Sequence, residues 1–166
     1  VYYLGASDFI DSHTINPLIE PSLITSPKLA KHFLRKDDVV VLAKGHNGFI
    51  AHTLNDFVKP MVATSIFMVL RNIINSELTQ YIAWYINLES TQNELKKDSR
   101  GTALPAINRT ILGDLDIKTP SLSIQKNIVA IDELKKQESK LTKQLDKLKT
   151  IQLELLLKKK INSYEQ

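Results

Sequence analysis

A chain of 166 residues with 43% apolar and 24% charged residues has room for one globular domain plus an extension and can bury a real core. It contains no cysteine, which excludes a disulfide framework and thiolate metal sites and fits a reducing compartment; no secretory signal and no apolar run of membrane-spanning length is visible. The net charge is +4 with a pI near 9.2, yet residues 1–120 balance 12 Lys+Arg against 12 Asp+Glu, so the excess comes from 10 lysines against 6 acids in 121–166.

The chain opens at Val1, which reads as the trimmed start of a strand. "VYYLGASDF" is β-rich and bounded by Gly5. "DSHTINPLIEPSLITSP" carries Pro17, Pro21 and Pro27 and predicts an irregular loop, followed by a short amphipathic helix or turn in "PKLAKHFLRKDD". "VVVLAKGHNGFIAHT" predicts strand, turn and strand: a β-branched run from Val39 to Ala43, a glycine-bracketed "KGHNG", and a return from Phe49 to Thr53. A third strand is predicted over Val62–Arg71. Leu78, Ile82, Tyr85 and Ile86 fall at helical spacing, so "SELTQYIAWYINLESTQNELKKDS" predicts one helix behind a Ser76 cap with Thr79 in its first turn. "AINRTILGDL" predicts a short helix closed by Gly113, and "DIKTP" a final short strand.

From Ser121 onward there is no Gly and no Pro, and helix formers dominate. Leu134, Leu141, Leu148 and Leu155 recur every seven residues, with Ile131, Glu138, Leu145 and Gln152 at the companion position. This is a heptad seam with two polar interruptions, which could fix register or orientation. At about 1.5 Å per residue the helix would run about 60 Å, more than a domain of this size can cover, so the seam needs a partner; the plainer alternative is an amphipathic helix folded back on its own domain. Lysines on such a helix commonly form a solvated face.

No catalytic pattern emerges. His13, His32, His46 and His52 lack metal-ligand spacing, and there is neither a phosphate-cradling glycine loop nor a Gly-x-Ser-x-Gly. Asn16-Pro17-Leu18 does not extend into the tetrapeptide of amino-methyltransferases, and nothing marks an S-adenosylmethionine site. Recognition remains. "KGHNG" places Lys44, His46 and Asn47 at a hairpin tip, where lysine suits phosphate and asparagine a base edge, although Gly and Asn are expected in any such turn. "KKDSRGTALPAINR" supplies Lys96, Lys97, Arg100, Thr102, Asn108 and Arg109, four cations in fourteen residues, diluted by Glu94 and Asp98.

Three blocks together resemble the specificity subunits of type I restriction–modification systems: "LRKDDVVVLAKGHNGFIA", "VATSIFMVLR", and the long run from "YIAWYINLES" through "RGTALPAINRTILGDLDIKTP" to "SIQKNIVAIDELKKQ". The last carries the landmarks in order: helix, Gly-Thr loop, Pro-x-Ile-Asn, a short strand ending in proline, and a Gln-x-x-Ile opening a long helix. Two residues depart from the pattern. Asp37 stands where the family usually has Gly, and Ile124 where an acid usually precedes the glutamine. Typical members have two recognition domains and two helical regions, whereas one of each is present here, which reads as a half-sized subunit or half-fragment.

The resemblance implies an α+β fold: a small target recognition domain over 1–120, with a mixed or antiparallel sheet and flanking helices, then one coiled-coil helix over 121–166. It implies a non-catalytic, cytoplasmic subunit that binds double-stranded DNA, pairs as a homodimer or with another half-subunit, and assembles with an adenine-methylating modification subunit and, indirectly, a restriction subunit. No cofactor is expected in this chain; S-adenosylmethionine would sit in the modification subunit. Candidate DNA contacts are Lys44, His46, Asn47, Arg71, Arg100, Thr102 and Arg109, and candidate seam residues are Ile131, Leu134, Leu141, Leu145, Leu148 and Leu155. In the closing loop, Gly101 would permit a backbone turn, Pro105 would stiffen it and Asn108 would cap the next helix. Two other readings stay open: an interaction module that never reads DNA, and the C-terminal specificity region of a fused restriction-methyltransferase.

Overall fold

The computed structural model describes residues 1–9, 15–16, 18–46, 48–54, 59–71, 76–99 and 104–164. The chain divides into two compact units, 1–126 and 127–166. The fold is α+β.

The first unit is organised by one strand. β2 (Val39–Leu42) is the centre of an antiparallel sheet with β3 (Ala51–Thr53) on one side and β5 (Phe67–Leu70) on the other. Val39 stands opposite both Thr53 and Leu70, and Val41 opposite Ala51 and Met68. Successive side chains of a strand point to opposite faces, and here both faces are covered. Val39 and Val41 enter a core with Phe49, Ala51, Ala83, Ile86, Leu95, Ile107 and Leu112. Val40 and Leu42 enter a second core with Leu4, Leu34, Leu54, Met61 and Phe67. An unbroken apolar run is what a strand buried on both sides requires.

A second, two-stranded parallel sheet pairs β1 (Tyr2–Leu4) with β4 (Met61–Ala63), Tyr3 opposite Val62. The single strand expected over Val62–Arg71 is therefore two. The chain turns at Thr64–Ile66, where the Phe67 N–H donates to the Thr64 carbonyl (3.1 Å), and crosses from one sheet to the other. α1 (Pro27–Ala30) begins at Ser26, whose hydroxyl accepts from the Leu29 N–H (3.2 Å), with proline in the first turn, where its missing N–H costs nothing.

The single helix expected over 76–99 is also two: α2 (Ser76–Ile86) and α3 (Glu89–Asp98). Leu88, at φ −59° and ψ 139°, leaves the helical region, and the neighbouring side-chain amides are drawn to the sheet instead. The capping role expected of the Ser76 side chain lies outside the described residues. α4 (Arg109–Gly113) starts as expected, the Asn108 side chain accepting from the Ile111 N–H at 2.9 Å. Gly113 is not a left-handed cap: it is the last helical residue, and Asp114 comes next at φ −81° and ψ −6°. "DIKTP" forms no strand. Its carbonyls are taken by side chains of α2, Tyr81 donating to the Lys118 carbonyl (2.6 Å) and Tyr85 to that of Asp116 (3.2 Å), while Ile117 packs on the first core.

α5 (Leu122–Asn162) is one unbroken helix of 41 residues. Gln125 is buried at its start and donates to the Pro120 carbonyl at 2.7 Å. Farther along, Lys136 pairs with Asp132 (2.6 Å) and Glu133 (3.3 Å) on the helix surface. Ile131, Leu134, Leu141, Leu145, Leu148 and Leu155 are all exposed, five of them by more than 60%. Among the described residues, no helix is long and apolar enough to cross a membrane.

Candidate nucleic-acid interface

Beyond Leu42 the strand does not end; it changes partner. The Ala43 N–H still donates to the Ile66 carbonyl (2.7 Å), but the Ala43 carbonyl accepts from the Ile107 N–H (2.9 Å), and the Gly45 N–H donates to the Pro105 carbonyl (3.1 Å). Lys44 and Ala106 thus face each other in an isolated antiparallel bridge. These bonds join the β2–β3 loop to the connector between α3 and α4, two stretches about sixty positions apart in sequence. The connector is anchored at its far end: Ile107 is buried in the first core, and Asn108 caps α4.

The return limb of the loop is held from the other side. Ile50 faces β2, its carbonyl accepting from the Leu42 N–H at 2.9 Å, so Phe49 and Ala51 turn their backbone groups outward to the open edge of the sheet. There the two side-chain amides at the α2–α3 break meet them. Asn87 accepts from the Ala51 N–H (2.8 Å) and donates to the Ala51 carbonyl (2.8 Å). Gln92 accepts from the Phe49 N–H (2.8 Å) and donates to the carbonyls of Phe49 (3.1 Å) and Ile86 (2.8 Å). Each amide acts as one residue of a missing fourth strand. Gly48, at φ +93°, is required here: a Cβ would come within 2.8 Å of the Gln92 amide oxygen and 3.8 Å of Lys96.

Of the expected contacts, Lys44 and His46 lie on this loop, and Arg109 is exposed at the first turn of α4. Lys96, at the end of α3, closes in on the loop from the Gly48 side. Asn47, Arg100, Gly101 and Thr102 lie outside the described residues. Arg71 is committed within the protein. Its guanidinium donates to both carboxylate oxygens of Asp38 (2.9 and 2.6 Å) and to the Phe33 carbonyl (2.8 Å). Asp38 is almost wholly buried and also accepts from the Arg35 N–H at 2.8 Å. The hydrogen bond to Asp38 raises the Arg71 pKa; burial opposes this, and the Asp38 charge adds to it.

Asn87 and Gln92 were not singled out by sequence reasoning. The available signal was their position, one helical turn from the core residues Ala83 and Leu95, where a half-buried amide needs a backbone partner.

The arrangement is an anchored loop carrying a lysine and a histidine, beside a second loop and the helix ends that carry Lys96 and Arg109. Such a surface can neutralise phosphates and present polar groups to base edges. Comparison with curated proteins gives no match. The family profile described as type I restriction modification DNA specificity domain matches residues 15–154, covering both the loop surface and most of α5. The chain therefore belongs to the family of type I restriction modification DNA specificity domains.

Proposed function

We propose that this chain is the DNA-reading subunit of a type I restriction–modification complex and recognises one half of a two-part target. The supporting observation is the backbone pairing of Ala43–Gly45 with Pro105–Ile107, which makes one surface of the two loops carrying the candidate contacts. Lys44, Lys96 and Arg109 supply charge toward phosphates, and His46 offers a polar group to base edges in the major groove, with Asn47 a further candidate by residue type. Arg100 and Thr102, in the same connector by sequence, are proposed as further contacts.

The exposed stripe of α5 pairs with the same stripe on a second copy or on another half-subunit. A homotypic pair reads an interrupted palindrome, because matching protein halves read matching half-sites. The chain itself performs no chemistry. An adenine-modifying partner carrying S-adenosylmethionine supplies methylation, and a restriction subunit joins through it, in the cytoplasm.

The test is selection of bound duplexes from a random pool by the purified chain with its modification subunit. An enriched two-part motif is expected, and an unenriched pool overturns the reading. A second reading draws on the balance of 12 basic and 12 acidic residues in 1–120, which gives that stretch no net charge to attract DNA: an interaction module that docks without reading. The unenriched outcome favours it.

A further inference from the structure

We infer that Asn87 and Gln92 are positioning residues for DNA recognition, because their side-chain amides fix the place from which the Lys44–Gly48 loop meets the duplex. This rests on the reading that the loop contacts DNA. Both amides bind the outward edge of the return limb, Asn87 at Ala51 and Gln92 at Phe49, and each uses its donor and its acceptor on the same residue. A primary amide bonded in both directions fixes orientation as well as distance.

Gln92 also bonds the Ile86 carbonyl, so the limb is tied to the end of α2 and not to a free side chain. The glycine next in line, Gly48, sits too close to Gln92 to carry a Cβ. The outgoing limb is held independently, by Pro105 and Ile107. The loop is thus clamped on both limbs by groups outside its own hairpin, and its side chains approach the duplex from a preset frame.

The clamp acts on discrimination and not on general attraction for DNA. Phosphate attraction depends on charge and tolerates a loop that moves; base-edge hydrogen bonds do not. Gln92→Ala or Asn87→Ala therefore weakens binding to cognate duplex by about tenfold, the scale of one broken hydrogen bond, and leaves binding to scrambled duplex unchanged.

The experiment measures equilibrium binding of both duplexes by the complex with the modification subunit, the cognate being the duplex that wild type selects. Tyr81→Phe, which removes a hydrogen bond away from the loop, is the matched destabiliser and keeps the wild-type ratio. A cognate-to-scrambled ratio that falls for the amide variants but not for Tyr81→Phe supports the inference. A ratio that stays at the wild-type value in the amide variants, or falls equally in Tyr81→Phe, overturns it while the DNA-reading function stands. A wild-type complex that does not discriminate overturns that function, and the inference with it. Should Gln92→Ala fail to fold, Gly48→Ala keeps both amides, displaces the loop and carries the same comparison.

Discussion

Asp38 and Arg71 form the rung beyond the Val39–Leu70 pair of β2 and β5, with Nε donating to Oδ1 at 2.9 Å and Nη2 to Oδ2 at 2.6 Å. Arg71→Ala leaves a buried carboxylate without its counter-charge and is expected to cost about 3 kcal/mol in urea unfolding. Arg71→Lys recovers only part, because a point charge cannot replace the two-pronged fork. With the Arg71 pKa raised, this contribution is complete below the ordinary arginine range and disappears only above it, so stability from the pair is flat on the alkaline side of neutrality. Folded Arg71→Ala should bind DNA with the wild-type salt slope, since the guanidinium is spent on the fold; a shallower slope would return Arg71 to the DNA surface.

Asp37 adopts a left-handed conformation, φ 66°, and among the described residues its buried Oδ1 has no partner. Glycine adopts this left-handed backbone at no steric cost. Asp37→Gly is expected to raise stability by about 0.5–1 kcal/mol, the relief of left-handed strain and of an unpaired polar atom being partly offset by a freer unfolded chain. A higher urea midpoint with an unchanged slope is the readout.

Burial raises the Tyr81 pKa above the usual phenol value, with a further contribution from Tyr85, and its hydroxyl donates to the Lys118 carbonyl. A folded pKa above the unfolded one means that this contribution is complete below about pH 10 and is lost as pH rises through the folded value. Tyr81→Phe should cost about 1 kcal/mol near neutrality, and it should flatten the alkaline fall in thermal stability.

Leu141 and Leu148 are more than 60% exposed on α5. Replacing both with Lys should convert a dimer into a monomer in sedimentation equilibrium with α5 still helical by circular dichroism. Lys140→Gln with Lys143→Gln, off the stripe, should leave the association intact. A dimer that survives the leucine changes moves the interface elsewhere.

Lys44→Ala should lower DNA affinity across all sequences and reduce the slope of log K against log salt by about 0.9 for each phosphate no longer neutralised. Titrations at several salt concentrations, on cognate and scrambled duplex, provide the check.

The elements set by short-range pattern are readable from the residues alone: the buried valine run of β2, the Asn108 cap, and the unbroken α5. The features that escape such reading depend on bonds between distant residues. The split between β4 and β5 arises because β1 claims Met61–Ala63, and nothing inside "VATSIFMVLR" announces it. The break between α2 and α3 comes from Asn87 and Gln92 bonding the sheet edge, which helical spacing alone reads through. "DIKTP" has strand composition, but two tyrosine hydroxyls hold carbonyls that a ladder would have used. For the site, the hairpin loop and the connector are each visible by composition; their joining by Gly45 and Pro105 is not, because backbone bonds leave no mark on residue type.

Alternate residues of β2 belong to opposite cores, Val39 and Val41 to one and Val40 and Leu42 to the other. Neither half of the recognition unit can come apart without baring one face of the strand whose other face packs the opposite half, since the two cores share the β2 backbone. In native-state hydrogen exchange the amides of Val40 and Leu42 should open only with global unfolding, and denaturant should erase both cores in one cooperative step.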